Sequence, residues 1–226
     1  MANVSHELKT PATSLKLLAE SLEESLGEDP EQSRIFAAQL RRETERLATL
    51  INDLLDLTRL ESERREVLTE IVDVRGILVT TLAGMRRVAR ERGVALNWKR
   101  FGRAADFAVR GNETQLASMF TNLIDNAVKY TPGGGSVEVT GGLSRDGREV
   151  FVSVSDTGIG IPEESLSRIF ERFYRVDRAR SKETGGTGLG LSIVRHIVEN
   201  HGGRVVVESV PDRGSNFTVH LPRSSV

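Results

Sequence analysis

Val4-Ser5-His6-Glu7-Leu8-Lys9-Thr10-Pro11-Ala12-Thr13-Ser14-Leu15-Lys16-Leu17-Leu18-Ala19-Glu20-Ser21-Leu22 carries the periodicity that decides the first part of the chain. Val4, Leu8, Pro11, Leu15, Leu18 and Leu22 alternate steps of four and three, the spacing of a coiled-coil-like seam along one side of a helix. Gly27-Glu28-Asp29-Pro30 follows, with a glycine suited to closing one helix and a proline suited to opening the next. The pattern then returns: Leu40, Leu47 and Leu54 stand seven apart, with Leu50 and Leu57 between them. Arg41, Arg42, Glu43, Glu45 and Arg46 fill much of the other side. Two amphipathic helices on a short loop predict an antiparallel hairpin. A lone hairpin offers its seam only one partner. Pairing two hairpins across a two-fold axis completes a four-helix bundle, which predicts a homodimer; packing on the rest of the same chain is the alternative.

Beyond about residue 67 the composition changes. Of the 21 glycines only Gly27 precedes residue 68. Short β-branched runs at 71–73, 95–99, 107–110, 136–142, 150–155, 204–209 and 216–221 predict strands, and 75–92, 113–130 and 189–200 predict helices. Asp146-Gly147 is a hairpin-turn signal between two of those strands. The expectation is an α+β chain: a helical hairpin at 1–67, then at 68–226 an α/β sandwich of one sheet covered by helices.

The 226 residues are 38% hydrophobic and 28% charged, an ordinary globular balance that excludes collagen-like and disordered chains. Thirty-one Lys and Arg against 32 Asp and Glu give a net charge of −1, with no overall drive toward nucleic acid or anionic lipid. No nucleic-acid partner is expected. The absence of cysteine excludes disulfides, thiolate zinc sites and cysteine nucleophiles. No apolar run approaches the roughly 20 residues that span a bilayer. The abrupt helical start, with no signal pattern, reads as a cut from a longer chain. The expected location is cytoplasmic, and any membrane anchor would belong to an upstream part.

Several residue groups carry candidate chemistry. With Val4 and Leu8 on the seam, His6 falls on the outer face, with Thr10 one turn on and Glu7 about 100° away. An imidazole open to water offers a neutral nucleophilic nitrogen near pH 7. Alone, His6 reads as a plain surface histidine. Pro11 reads either as a mid-helix bend or as a helix start. Asn122, Asn126 and Lys129 share a helix face at i, i+4 and i+7. Amide oxygens suit a hard cation such as Mg²⁺ and the ammonium suits phosphate, although a solvated face has the same pattern.

Asp156-Thr157-Gly158-Ile159-Gly160 ends a predicted strand, where a carboxylate can accept from an exocyclic amine and glycines admit a flat base; a plain turn is the alternative. Gly185-Gly186-Thr187-Gly188-Leu189-Gly190 opens the helix predicted at 189–200, whose free amides suit phosphate. It follows a polar loop rather than a strand and has no lysine after its last glycine, so neither a dinucleotide fingerprint nor a Walker A loop fits. Before it, Arg175, Arg178, Arg180 and Lys182 suggest a mobile cover over a polyanion or a solvated loop. His196, His201 and His220 lack metal-site spacing and read as structural; Phe170 and Phe173 read as packing residues.

Taken in order, these stretches resemble the bacterial two-component sensor histidine kinases. Ser5 to Pro11 resembles their phosphoacceptor box and Asn122 to Tyr130 their asparagine box. Asp156 to Ile161 and Gly186 to Gly190 resemble the two glycine boxes, and Arg168 to Tyr174 the phenylalanine box. Gly214-Ser215-Asn216-Phe217-Thr218 resembles the closing strand. Six boxes in family order span nearly the whole chain. Two departures are Ala12, directly after Pro11, where leucine is common, and the lack of any sensor, transmembrane or signal-relay segment.

The resemblance implies a dimeric hairpin bearing His6 and a Bergerat-type sandwich that binds ATP and Mg²⁺. Asn126 would hold the metal with Asn122 as a second contact. Lys129 would touch phosphate and Tyr130 would pack near the nucleotide. Asp156 would read the adenine amino group beside Gly158 and Gly160. Gly186, Thr187, Gly188, Leu189 and Gly190 would shape the lid and phosphate site, with Arg175 on the γ-phosphate. Glu7 would act as base and Thr10 would support phosphatase activity. It further implies ATP-dependent autophosphorylation of His6, transfer to the aspartate of a response-regulator receiver domain, and signal transduction. The hinge would lie near 62–68. Competing readings are a related ATPase without phosphohistidine, of the gyrase, mismatch-repair or chaperone type, and a silent dimer scaffold.

Overall fold

The structure is a computed structural model that describes residues 2–62, 70–99, 107–176 and 186–224. The boundary expected at 67, most of the hinge near 62–68, and Arg178, Arg180, Lys182 and Gly185 lie outside the described residues.

Helices α1 (Ala2–Ser25) and α2 (Pro30–Ser62) form the hairpin. Gly27 turns the chain at φ +90°. Asp29 then caps α2, its Oδ1 accepting from the amides of Glu31 and Gln32 at 3.0 Å each. Pro30 supplies the first helical residue, where its missing N–H costs nothing. The expected seam forms: Val4, Leu8, Leu15, Leu18 and Leu22 are half-buried and Pro11 is buried. On α2, Leu50 and Leu57 are buried, and Leu40, Leu47 and Leu54 half-buried. Pro11 lies inside α1, which decides its reading. Ala12 is exposed, so the missing leucine leaves no gap in this chain's core.

The second part begins with β1 (Ile71–Asp73), α3 (Val74–Glu91), β2 (Ala95–Trp98), β3 (Ala108–Arg110) and α4 (Glu113–Tyr130). Next come β4 (Ser136–Leu143), β5 (Glu149–Asp156), a single turn α5 (Glu163–Leu166), α6 (Gly190–Asn200), β6 (Arg204–Val210) and β7 (Gly214–Pro222). The predicted strands and helices are all present, with ends shifted by one or two residues. α5 is too short to announce itself by periodicity. Local chemistry accounts for the helix ends. Asp73 and Asn112 cap α3 and α4 by accepting from the amides of Arg75 and Gln115, both at 3.0 Å. Such a cap contributes about 1 kcal/mol. α4 closes where Thr131 Oγ1 donates to Ala127 O at 2.6 Å, just before Pro132.

Five strands form a sheet in the order β2-β4-β5-β7-β6, and β1 pairs with β3 in a separate two-stranded sheet. β2 and β4 run parallel; the other pairs are antiparallel. Strand alternation puts Val139, Val154 and Phe217 on one rung and Val152 and Val219 on the next, facing α3, α4 and α6. The opposite face is polar, with Ser153 Oγ donating to Asn216 Oδ1 at 2.6 Å. The helices therefore cover a single face, as an α/β sandwich requires. Asp146-Gly147 forms the β4–β5 turn, where the Gly147 amide donates to Ser144 O at 2.8 Å.

Candidate functional site

One face of α4 is the floor of the site. Leu116, Phe120, Leu123, Ile124, Ala127 and Val128 are buried in the core, so Asn122, Asn126, Lys129 and Tyr130 remain half-buried at its edge. Asn122 Nδ2 donates to Ser118 O at 3.0 Å, which frees Oδ1 to turn toward the start of α6. There Gly190 makes a close approach: a methyl group on it would lie 2.7 Å from Asn122 Oδ1 and 3.8 Å from Asn126 Nδ2. The glycine at the helix start is thus what lets two amide side chains meet a helix N-terminus. Lys129, with 18% of its side chain exposed, pairs with Asp125 Oδ2 at 3.5 Å.

At the other end of α4, the Tyr130 carbonyl accepts from the Ile159 amide at 3.2 Å, tying the helix to the loop after β5. From Asn122 to Tyr130 is about 12 Å of helix, the scale of a nucleotide laid along it. Asp156, only 8% exposed, ends β5. Its Oδ1 accepts two amides, Gly158 at 2.8 Å and Ser215 at 3.2 Å. Burial raises its carboxyl above the usual carboxylate range, and the two amides oppose the shift. Gly160 has φ +66°, and any Cβ there would strike the Val210 carbonyl. Only glycine is accommodated at such a turn.

The second glycine stretch closes over this floor. Gly186 faces the Tyr130 hydroxyl, which a Cβ would meet at 3.4 Å. Gly188 O accepts from the Phe173 amide at 2.9 Å, and Phe173 takes φ +63° to make that bond. Phe170 and Phe173 pack against the core, as expected of packing residues. Leu189 is fully buried and precedes α6, which starts at Gly190 rather than at 189. Arg175 is half-buried just past Tyr174, whose ring lies 4.4 Å under the Arg168 guanidinium.

His6 stands apart on α1, with 79% of its side chain exposed. Glu7 Oε1 lies 3.9 Å from its Nδ1. Helix geometry separates the two Cβ directions by about 100°, but three rotatable bonds let the glutamate swing back. Glu7 thus leaves the helix about 100° from His6, as expected, while its carboxylate reaches back toward the ring. Thr10 stands one turn on from His6 as expected, and its hydroxyl donates to the main-chain carbonyl of His6 at 3.1 Å.

The other histidines do not converge. His196 Nε2 lies 3.0 Å from Leu60 O. His201 Nδ1 lies 2.7 Å from Ile197 O, and its Nε2 accepts from the Asn112 amide at 3.1 Å. His220 Nδ1 lies 3.3 Å from Glu149 Oε2. Among the described residues no three His, Cys, Asp or Glu cluster as a metal site.

The site therefore offers amide oxygens, one ammonium and the open amides of α6 at one end. A buried carboxylate beside a glycine turn stands at the other. That donor set fits Mg²⁺ held jointly with a polyphosphate, since Mg²⁺ is commonly bound through few protein oxygens and substrate phosphates. A buried carboxylate with one oxygen engaged by amides suits an exocyclic amine. Sequence reading missed Asp53, whose Oδ2 accepts from Thr187 Oγ1 at 2.5 Å, and Ser215, which braces Asp156. A carboxylate inside the leucine-rich run of α2 was the available signal for the first.

Among the described residues no helix is long and apolar enough to cross a membrane. The chain matches the histidine kinase A phospho-acceptor domain over residues 1–63. It matches the histidine kinase-, DNA gyrase B- and HSP90-like ATPase family over residues 111–225. It is 39% identical to the sensor-like histidine kinase SenX3 of Mycolicibacterium smegmatis over 222 residues, covering 98% of this chain and 56% of the relative. The chain thus spans about half the length of that curated relative. The structure of full-length ShkA in complex with AMPPNP is 31% identical with a TM-score of 0.68, covering all of this chain and 46% of that one. The histidine kinase ThkA, solved with the response regulator TrrA, shares the fold at 23% identity and a TM-score of 0.75, over 99% of this chain and 60% of that one. A phospho-acceptor hairpin followed by an ATPase sandwich, in this order and with these relatives, makes the chain a member of the bacterial sensor histidine kinases, comprising their catalytic core.

Proposed function

We propose that this chain uses ATP to phosphorylate His6 and passes the phosphoryl group to an aspartate on a response-regulator receiver domain. The observation that carries the proposal is the separation of parts. An imidazole exposed on the hairpin, with a carboxylate at its Nδ1, stands apart from a sandwich site shaped for a nucleotide. Asp156 would accept from the adenine amine, with Gly158 and Gly160 giving the base room. Asn126 and Asn122 would hold Mg²⁺, which when bound neutralises triphosphate charge and orients the γ-phosphoryl group. Lys129, Arg175 and the α6 amides would take the phosphate oxygens, and Gly186, Thr187 and Gly188 would close over them.

The Glu7 carboxylate favours the proton on Nδ1 of His6 and leaves the Nε2 lone pair outward. In-line attack then forms the Nε2–P bond as the β–γ bridging P–O bond breaks, and ADP leaves with that electron pair. Glu7 accepts the Nδ1 proton from the imidazolium. Phosphoryl transfer demands positioning more than covalent assistance, so the sandwich has to move relative to the hairpin. With its hydroxyl turned off the His6 carbonyl, Thr10 would place a water for hydrolysis of the regulator's phosphate. Leu17, Ile35, Ile51 and Leu55, exposed on the hairpin, support a homodimeric bundle.

Incubation with γ-labelled ATP and Mg²⁺ tests the reading. The chain is expected to gain acid-labile, base-stable label that His6→Gln abolishes without loss of nucleotide binding. Asn126→Ala is expected to lose the label through the nucleotide site instead. Nucleotide hydrolysis without label on His6 would favour the plain ATPase, and no nucleotide binding at all would sink both readings.

A further inference from the structure

Among the described residues two hydrogen bonds join the hairpin to the sandwich. Thr187 Oγ1 donates to Asp53 Oδ2 at 2.5 Å, and His196 Nε2 meets Leu60 O at 3.0 Å. Leu57 and Leu60, buried on the same stretch of α2, belong to the core that α6 shares. The second contact is a plain anchor. The first is not, because Asp53 is a half-buried carboxylate whose charge burial disfavours. Asp56 and Asp125 add to that cost, whereas the Thr187 hydroxyl and the charge of Lys129 relieve it.

The groups that relieve Asp53 are the groups a polyphosphate needs. A threonine hydroxyl has one proton to give, and here Asp53 receives it. The Thr187 oxygen in turn accepts the Leu189 amide at 3.3 Å, so the donor just before α6 is engaged as well. Lys129 is already paired with Asp125 and also lies in the field of Asp53. A triphosphate arriving at Gly186–Gly190 would require these donors and would set its own negative charge against three carboxylates.

We infer that the Asp53–Thr187 hydrogen bond is an autoinhibitory latch, holding the Gly186–Gly190 loop on the hairpin in a state that excludes the nucleotide's phosphates. The inference rests on reading that loop and the α4 face as the ATP site. Linkage makes the effect reciprocal: whatever factor docking takes from nucleotide affinity, bound nucleotide takes from docking. ATP would then release the sandwich from α2, the movement that delivery to His6 requires. Asp53 acts through Thr187 and is a positioning residue, not a catalytic one.

Calorimetric titration of the full chain with β,γ-imido-ATP and Mg²⁺, and separately with adenosine, tests the latch in Asp53→Ala and Asp53→Asn. Asp53→Asn keeps the size and an acceptor while removing the charge, and so guards against misfolding of the alanine variant. The expected result is triphosphate affinity raised about fivefold or more by Asp53→Ala, and less by Asp53→Asn, with adenosine affinity unchanged. Triphosphate binding that is unchanged or weaker in both variants would overturn the latch while leaving the ATP site intact. An equal gain for adenosine would also overturn it, because the effect would not act through the phosphates. Absence of any nucleotide binding by the unaltered chain would overturn the site and the latch together.

Discussion

The hairpin and the sandwich solve the same burial problem to different degrees. In the sandwich, Phe107, Phe120, Leu78, Leu116, Leu123, Ile124, Ile193 and Ile197 are essentially inaccessible, and the valine rows of β4, β5 and β7 are sealed under three helices. In the hairpin, among the described leucines, isoleucines and valines, only Leu50, Leu57 and Leu60 are buried, at 4–5% exposure. Leu17, Leu26, Ile35, Ile51 and Leu55 stay exposed. Two packed helices present one mutual stripe, whereas a sheet under helices encloses side chains from all directions. Among the described residues the sandwich encloses its core within one chain, whereas the hairpin leaves an apolar stripe exposed, the surface that the proposed dimer would cover.

The largest effect that would break this comparison concerns the sandwich core. Phe120→Ala is expected to cost about 3–5 kcal/mol in urea unfolding, as for fully buried aromatics, while Leu17→Ala costs less than about 1 kcal/mol. Similar losses at both positions would mean that Leu17 is covered in solution, by the second hairpin if the loss fades on dilution and by its own chain if it does not. Next in size, Ile51→Asp with Leu55→Asp is expected to weaken self-association at least about thirtyfold in sedimentation equilibrium, on the scale of an interface hot spot. Nucleotide binding should survive that change. An unaltered dimer would place the two-fold contact elsewhere.

Smaller effects sharpen the comparison inside the sandwich. Asp73→Ala removes the α3 cap and is expected to lower stability by about 1 kcal/mol, read from the urea midpoint. The least effect is a pH dependence. His201 is buried with its Nδ1 at Ile197 O and its Nε2 accepting from Asn112, and burial lowers its pKa below the ordinary 6.5. The folded state therefore binds this proton less readily than the unfolded state. Its contribution is fully present above pH 6.5 and is lost as pH falls below 6.5 through the folded value. Urea midpoints between pH 5 and 7.5 should fall more steeply on acidification for the unaltered chain than for His201→Gln. Parallel curves would show that the imidazole is not the titrating group.

Legibility followed the same division. Periodicity was enough for both long helices, because a seam repeats many times and each turn confirms the last. The strands β4 to β7 were legible for the corresponding reason, a two-residue alternation. The pairing of β2 beside β4 was not, since it brings together segments some forty residues apart with no short-range signature. At the site, Asn122, Asn126 and Lys129 were legible because a helix places them by arithmetic. The approach of the Glu7 carboxylate to His6 was not legible, because Cβ direction is dictated by the helix but the reach of a long side chain is not. Asp53 went unseen because its partner Thr187 is 134 residues away.

By itself, the sequence determined the order of helices and strands, the hairpin seam and the membership of each candidate group. These are local consequences of side-chain period, capping and turn chemistry. Only the tertiary structure decided that Gly190 approaches Asn122 closely enough to join α4 to α6. It alone decided that two amides brace one oxygen of Asp156 and that α2 holds the glycine loop through Asp53. Those contacts depend on how whole elements dock, and docking is set by the shape of the shared core rather than by any stretch that could be read in line.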